Sequence, residues 1–192
     1  MSIVSLALLS FVVLAGLSLV WSTLATGISP VPTSPKVRAE LLSLLPPGLE
    51  GDVLELGAAW GSLAWPLAAQ LPGAHVVAWE ASPVPFAFMW LRRLVQPRRN
   101  LSLRFGDFRG ADLRHARLVV TYLWTGGMAA LAPRFEAELP DGAVVLSHTF
   151  AWRGKTPEVI RHARDIYRTP VYRYVVRRPA ETHHVAVSVT PE

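Results

Sequence analysis

The chain contains no cysteine. That absence excludes a disulfide scaffold, an iron–sulfur site, a cysteine nucleophile and any thiolate zinc site. Charge is also scarce, at 17% of 192 residues, and none of it occurs before Lys36. Lysine contributes only 2 of the 19 basic residues, the other 17 being arginine. With 51% hydrophobic residues, so little charge excludes a disordered chain. The length fits one domain with a sizeable core and leaves little room for a second.

The uncharged stretch is an element in itself. From Ile3 to Trp21 its only polar side chains are Ser5, Ser10 and Ser18. As a helix this run spans about 28 Å at roughly 1.5 Å per residue, close to the hydrocarbon thickness of a bilayer. Trp21 closes it, where an interfacial aromatic belongs. A cleaved signal peptide is the competing reading, with Thr23-Leu24-Ala25 as a passable cleavage site. It lacks a basic n-region, and the apolar part exceeds the usual length. A buried core helix would be unusually apolar on every face. The expectation is therefore a single-pass membrane anchor over 1–24, in contact with lipid. Lys36 and Arg38 follow it, so the positive-inside rule leaves the remainder on the cytoplasmic side. Residues 25–34 read as a linker and 35–192 as one domain.

Within that domain strands and helices alternate. Ser34-Pro35 is an N-cap followed by proline at the first helical position, ahead of Val37, Leu41, Leu44 and Leu45 at helical spacing. Strands are predicted over 52–56, 75–80, 101–105, 117–123 and 143–149. Helices are predicted over 61–71, from Ser82-Pro83 to about Val95, and around Met128, Leu131, Phe135 and Leu139, kinked or split at Pro133. A shorter polar helix is predicted over 156–164, then an antiparallel strand pair around 171–177 and 184–189. The alternation argues for an α/β fold with a mostly parallel sheet covered on both faces. About ten residues separate the third strand from the fourth, too few for a full crossover helix.

Ligands of such sheets bind beyond the C-terminal ends of the strands, at the switch point. The first strand ends in Glu55-Leu56-Gly57-Ala58-Ala59-Trp60-Gly61, whose glycines suit a tight turn approached closely by a ligand. Glu80 ends the second strand, where a carboxylate can accept both ribose hydroxyls of an adenosine ligand. The competing role is a charge before the helix opened by Ser82-Pro83. Asp107, after the third strand, can accept from an adenine amino group or simply close a turn. His148 ends the fifth strand, as a pocket residue or a plain strand-end polar group. His183 and His184 are adjacent on a strand and face opposite ways, so they share no metal ion. Arg92, Arg93, Arg98 and Arg99 form a basic cluster suited to anionic headgroups or nucleic acid; beside an anchor, lipid is the simpler of these, and a solvated helix end is simpler still.

These motifs together resemble the class I, seven-strand S-adenosylmethionine-dependent methyltransferases, with a Rossmann-like sheet. VLELGAAWG is similar to their first motif; VVAWEASP and LRFGDF are similar to the second and third. Within the class the chain is most similar to the small, membrane-anchored protein-lysine methyltransferases that include the enzyme for ATP synthase subunit c. Val31-Pro32-Thr33-Ser34, Glu80-Ala81-Ser82-Pro83 and Val119-Val120-Thr121-Tyr122-Leu123 carry that resemblance. It implies S-adenosyl-L-methionine as cofactor, held by Thr33, Ser34, Glu55, Gly57, Ala59, Gly61, Glu80 and Asp107. It also implies a protein substrate near the membrane, with neither nucleic acid nor metal as partner. Ala59 stands in place of the middle glycine, Trp60 in place of an acidic or small residue, and Trp124-Thr125-Gly126 where a proline is frequent. No Asn/Asp-Pro-Pro-Tyr motif follows the fourth strand, which argues against adenine and glutamine acceptors.

Methyl transfer from a sulfonium is an in-line displacement, so alignment and a dry pocket carry the catalysis. A lysine acceptor must lose a proton held with a pKa of about 10.4, and an apolar channel favours its neutral form. Tyr122 and Trp124, with Trp60, are the candidate channel residues; no residue is assigned as general base. The competing functions are a methyltransferase for a lipid amine or hydrophobic small molecule, a non-catalytic adenosine-ligand scaffold, and a nicotinamide-dependent oxidoreductase. The last is disfavoured by Ala59 and the Asp107 motif.

Overall fold

The computed structural model describes residues 2–26 and 31–178. The uncharged run forms a single helix, α1 (Ile3–Thr26), with Leu6, Leu9, Val13, Leu17 and Trp21 exposed. By length and composition it is able to cross a bilayer. A signal sequence passes the same test of length and apolarity.

Helix α2 (Pro35–Leu42) starts as its sequence predicts, with the Ser34 hydroxyl accepting from the Val37 amide. Then follow β1 (Gly51–Leu56), α3 (Ala64–Gln70), β2 (Ala74–Glu80), α4 (Pro83–Val95) and β3 (Leu101–Phe105). A single 3-10 turn (Phe108–Gly110) fills the short connection to β4 (Ala116–Thr121). Helix α5 (Thr125–Glu138), β5 (Val144–His148), β6 (Val159–His162) and β7 (Pro170–Val175) complete the described chain. The sheet order is β3-β2-β1-β4-β5-β7-β6. β1 to β5 pair in parallel, and β7 is antiparallel to both β5 and β6.

The sheet is the middle of three layers. On one face Val53, Val76 and Val120 pack with Val37 and Leu41 of α2, Leu67 of α3 and Met89 of α4. On the other, Leu54, Leu56 and Val119 pack with Met128, Leu131 and Phe135 of α5 and with Trp152. Alternate residues of each strand thus feed opposite cores.

Two expectations are corrected. Residues 156–164 do not form a helix; Val159–His162 is the edge strand β6. Pro157 denies the segment a long helical run, and β-branched Val159 and Ile160 suit an extended chain. The Glu158 amide donates to the Arg173 carbonyl, and the Arg173 guanidinium pairs with the Glu158 carboxylate, opening the ladder. The 171–177 segment pairs antiparallel with β6 as well as with β5; the strand expected over 184–189, with His183 and His184, lies outside the described residues. Helix α5 runs through Pro133 without a split, held on both sides by buried Leu131 and Phe135.

Candidate active site

The strand order reverses between β1 and β4: β2 and β3 lie to one side of β1, β4 and β5 to the other. The carboxyl ends of β1 and β4 consequently diverge, and the turn Gly57–Gly61 lies at this crevice. Three residues of the turn have left-handed φ: Gly57 (83°), Ala59 (47°) and Gly61 (70°). Glycine is free there; Ala59 carries a cost of about 1–2 kcal/mol for its Cβ. Packing also favours glycine at Gly61, where a Cβ would lie 2.7 Å from the Trp65 ring; at Gly57 it would press on the end of the Leu123 side chain at 3.0 Å.

Glu80, at the end of β2, holds this turn. Its Oε2 accepts from the Ala59 amide at 2.7 Å and its Oε1 from the Ser82 amide at 2.6 Å. One buried carboxylate thereby fixes both the strained alanine and the start of α4. Each oxygen retains a lone pair for a further donor.

Glu55 differs sharply. It is 3% exposed, and its Oε2 has no hydrogen-bond partner among the described residues. Burial, and then the neighbouring Glu80 charge, push its pKa well above the ordinary carboxylate range. Glu55 lines a narrow cleft together with Val31, Thr33, Gly57, Ala59 and Tyr122.

Thr33 comes from before α2, yet it is buried in this wall. Its amide donates to the Ser62 hydroxyl at 3.0 Å, and its own hydroxyl lies 3.1 Å from Nε2 of His148. His148 ends β5 and is 3% exposed; Nδ1 lies 3.2 Å from the Thr149 hydroxyl. The Tyr122 ring stacks on the imidazole at 4.0 Å. Burial pushes the His148 pKa down to about 4, so the ring is neutral at physiological pH.

The cleft brings together Thr33, Glu55, Gly57, Ala59 and Tyr122 of the residues expected from sequence. Gly61 closes the turn through its amide to the Ala58 carbonyl. Ser34 caps α2, and Trp124, 45% exposed, folds its ring over Gly126 at the start of α5. Asp107 caps the 3-10 turn: its Oδ1 accepts from the Arg109 amide and its Oδ2 from the Arg109 guanidinium. Those bonds hold its pKa below the usual range. Ser62 and Val31 were missed by sequence reasoning; Ser62 immediately follows the second glycine, a position that would have marked it.

Comparison with known proteins supplies the family. Residues 55–159, more than half of the chain, match the model of the ANTKMT methyltransferase domain. The chain belongs to the ANTKMT methyltransferase family. By family and fold this methyltransferase is of the class I, S-adenosylmethionine-dependent type. It is 38% identical over 72 residues to a protein-lysine N-methyltransferase of Saccharolobus islandicus (strain REY15A), a match covering 37% of this chain and 45% of that protein. Its fold is similar to an RNA methyltransferase from Salinibacter ruber in complex with S-adenosyl-L-homocysteine, with TM-score 0.68 and 24% identity over 78% of this chain and 95% of that one. It is also similar to Aeropyrum pernix fibrillarin with natively bound S-adenosyl-L-methionine, with TM-score 0.56 and 19% identity over 72% and 73% of the two chains. At these identities the two structures speak for the fold alone.

The residues at the crevice fit such a cofactor. An orphaned, buried carboxylate oxygen calls for a cation, and a methionine ammonium supplies one. A carboxylate at the end of β2 with spare lone pairs suits a ribose diol.

Proposed function

We propose that this methyltransferase is anchored in a membrane by residues 1–24 and uses S-adenosyl-L-methionine to N-methylate a lysine of a membrane-associated protein. Residues 25–34 are the connection and 35–192 the catalytic unit, placed on the cytoplasmic side by Lys36 and Arg38. The observation that carries the reading is the unpartnered Oε2 of buried Glu55 in the crevice between β1 and β4.

In this reading Glu55 receives the cofactor ammonium, and Glu80 the ribose hydroxyls, beyond its two backbone amides. Gly57, Ala59 and Gly61 let the backbone approach closely. Asp107 accepts from the adenine amino group by sharing its carboxylate with Arg109, and Thr33 and Ser34 lie on the roof. When bound, the cofactor supplies an electrophilic sulfonium methyl. The chain supplies the acceptor's surroundings. Val31, Leu63, Val120 and the Tyr122 ring supply the apolar part of the cleft wall, and an acceptor amine against that part is favoured in its neutral form. Neutral His148 keeps Tyr122 and Thr33 in register without adding charge. Trp124 is assigned, with Tyr122, to the acceptor channel.

The lysine acceptor is supported by the name of the archaeal relative, and the membrane by α1. The test is to incubate the detergent-solubilised full chain with membranes and methyl-labelled cofactor, then locate the label. Label on a protein lysine is the expected result. Label confined to lipid amines would replace the acceptor class, and cofactor binding without transfer would identify a scaffold.

A further inference from the structure

Helix α4 is built the wrong way round for a helix facing water. Its inner side buries Pro85 and Met89 in the core. Its outer side carries Ala87, Phe88, Leu91, Leu94 and Val95, one stripe at helical spacing, all exposed; Leu94 is 64% and Val95 81% accessible. Trp90 flanks the stripe. Arg93, Arg98 and Arg99 are exposed beside it, and no acidic residue occurs between Ala81 and Gly106. Arg92 is already engaged, over the Trp65 ring at 4.3 Å and on the Gly61 carbonyl.

The neighbour of α4 tells what covers this face. Helix α1 packs against α4. Among the described side chains of α1, the covered ones are Ala15, Ser18, Leu19, Ser22 and Thr23, all in its C-terminal half. The 24 residues of α1 measure about 36 Å at roughly 1.5 Å each, against a hydrocarbon core of about 30 Å. With its N-terminal part immersed, the last turns of α1 reach the headgroup layer. An apolar stripe with arginines at its edge is the composition that settles in that layer.

We propose that α4 is a second membrane contact: it lies in the headgroup layer of an anionic leaflet, stripe inward, and seats the catalytic unit on the bilayer. The inference rests on the anchored reading of α1. It also bears on the reaction, because the Phe88 ring meets Trp60 of the cofactor turn edge-on at 5.5 Å. Seating α4 therefore places the crevice beside acceptors at the membrane surface.

The absence of cysteine makes the test clean. Leu9→Cys, Leu94→Cys and Ile166→Cys variants of the full chain carry a nitroxide and are reconstituted in phosphatidylcholine vesicles containing phosphatidylglycerol as the anionic lipid. Ile166 is exposed in the β6–β7 turn, at the sheet edge remote from α4. Power saturation then compares access to oxygen and to an aqueous nickel chelate. The expected result is oxygen preference at Leu9, a shallower oxygen preference at Leu94 and chelate preference at Ile166. Changing Arg93, Arg98 and Arg99 together to Glu should return Leu94 to chelate preference and leave Leu9 unmoved. A Leu94 label that matches Ile166 while Leu9 stays immersed overturns the docking and leaves the anchor standing. Dipolar broadening at Leu94 assigns the stripe to a second copy and overturns it as well. Chelate preference at Leu9 withdraws both readings.

Discussion

At the scale of single residues, the two buried titratable groups of the crevice respond oppositely. Glu55 is an unpaired carboxylate in a dry wall, costly in the absence of a cation. Glu55→Gln removes that charge and its repulsion from Glu80 at nearly constant volume. The variant without cofactor should be more stable, by about 1 kcal/mol or more. It should also bind S-adenosylmethionine at least tenfold more weakly, about 1.4 kcal/mol. Thermal denaturation and calorimetry check the pair; a variant that loses stability and keeps affinity refutes the ammonium role. His148 has a folded pKa of about 4, below its ordinary 6.5. Its contribution to stability is complete above 6.5 and is lost as pH falls through 6.5 towards 4, up to about 3 kcal/mol. Glu55, with a raised pKa, works in the other direction, so the difference between proteins is the observable. Wild type should lose stability relative to His148→Gln between pH 6.5 and 4, measured by denaturant unfolding. Parallel profiles would show that the imidazole is not held neutral by burial.

At the scale of elements, local chemistry specified most starts and stops. Ser34-Pro35 and Ser82-Pro83 open α2 and α4, and the strand runs ending at Leu56, Glu80 and Phe105 were legible from their apolar residues. Legibility failed where the segment was short and its partner distant. Val159–His162 has four residues and an exposed edge, so no periodicity distinguishes strand from helix; the ladder with β7 decides it. Pro133 suggested a break in α5, but Leu131 and Phe135 anchor the same face on either side of it, and the helix tolerates the lost hydrogen bond. The turn of VLELGAAWG was readable as a site, yet one reason for Gly61 was not: the Trp65 ring fills the space a Cβ would take.

At the scale of the whole molecule, the segment between α1 and α2 reaches the crevice. Val31 and Thr33 form part of the crevice wall, tied to Ser62 and His148. Removing residues 1–28 should leave cofactor affinity intact, because none of these groups is lost. Removing 1–36 takes away the Thr33 bonds and the Ser34 cap, and should weaken binding at least tenfold, about 1.4 kcal/mol. Calorimetry on both truncations, each first checked for folding by circular dichroism, decides between a roof and a tether. Equal affinities would make the segment a tether only.

The sequence by itself determined what acts over a few residues: the apolar run of α1, the caps, the alternation of strands with helices and the glycine turn after β1. Each depends on backbone preference or on the spacing of apolar side chains, which any window of the chain displays. Only the tertiary structure decided which groups meet. Thr33 and His148 are 115 positions apart and touch because α2, which Thr33 precedes, packs against β5. The same packing left Glu55 without a partner, gave both Glu80 oxygens to backbone amides and turned the stripe of α4 outward. Such pairings depend on strand order and on which face each helix covers, and neither is encoded within any single segment.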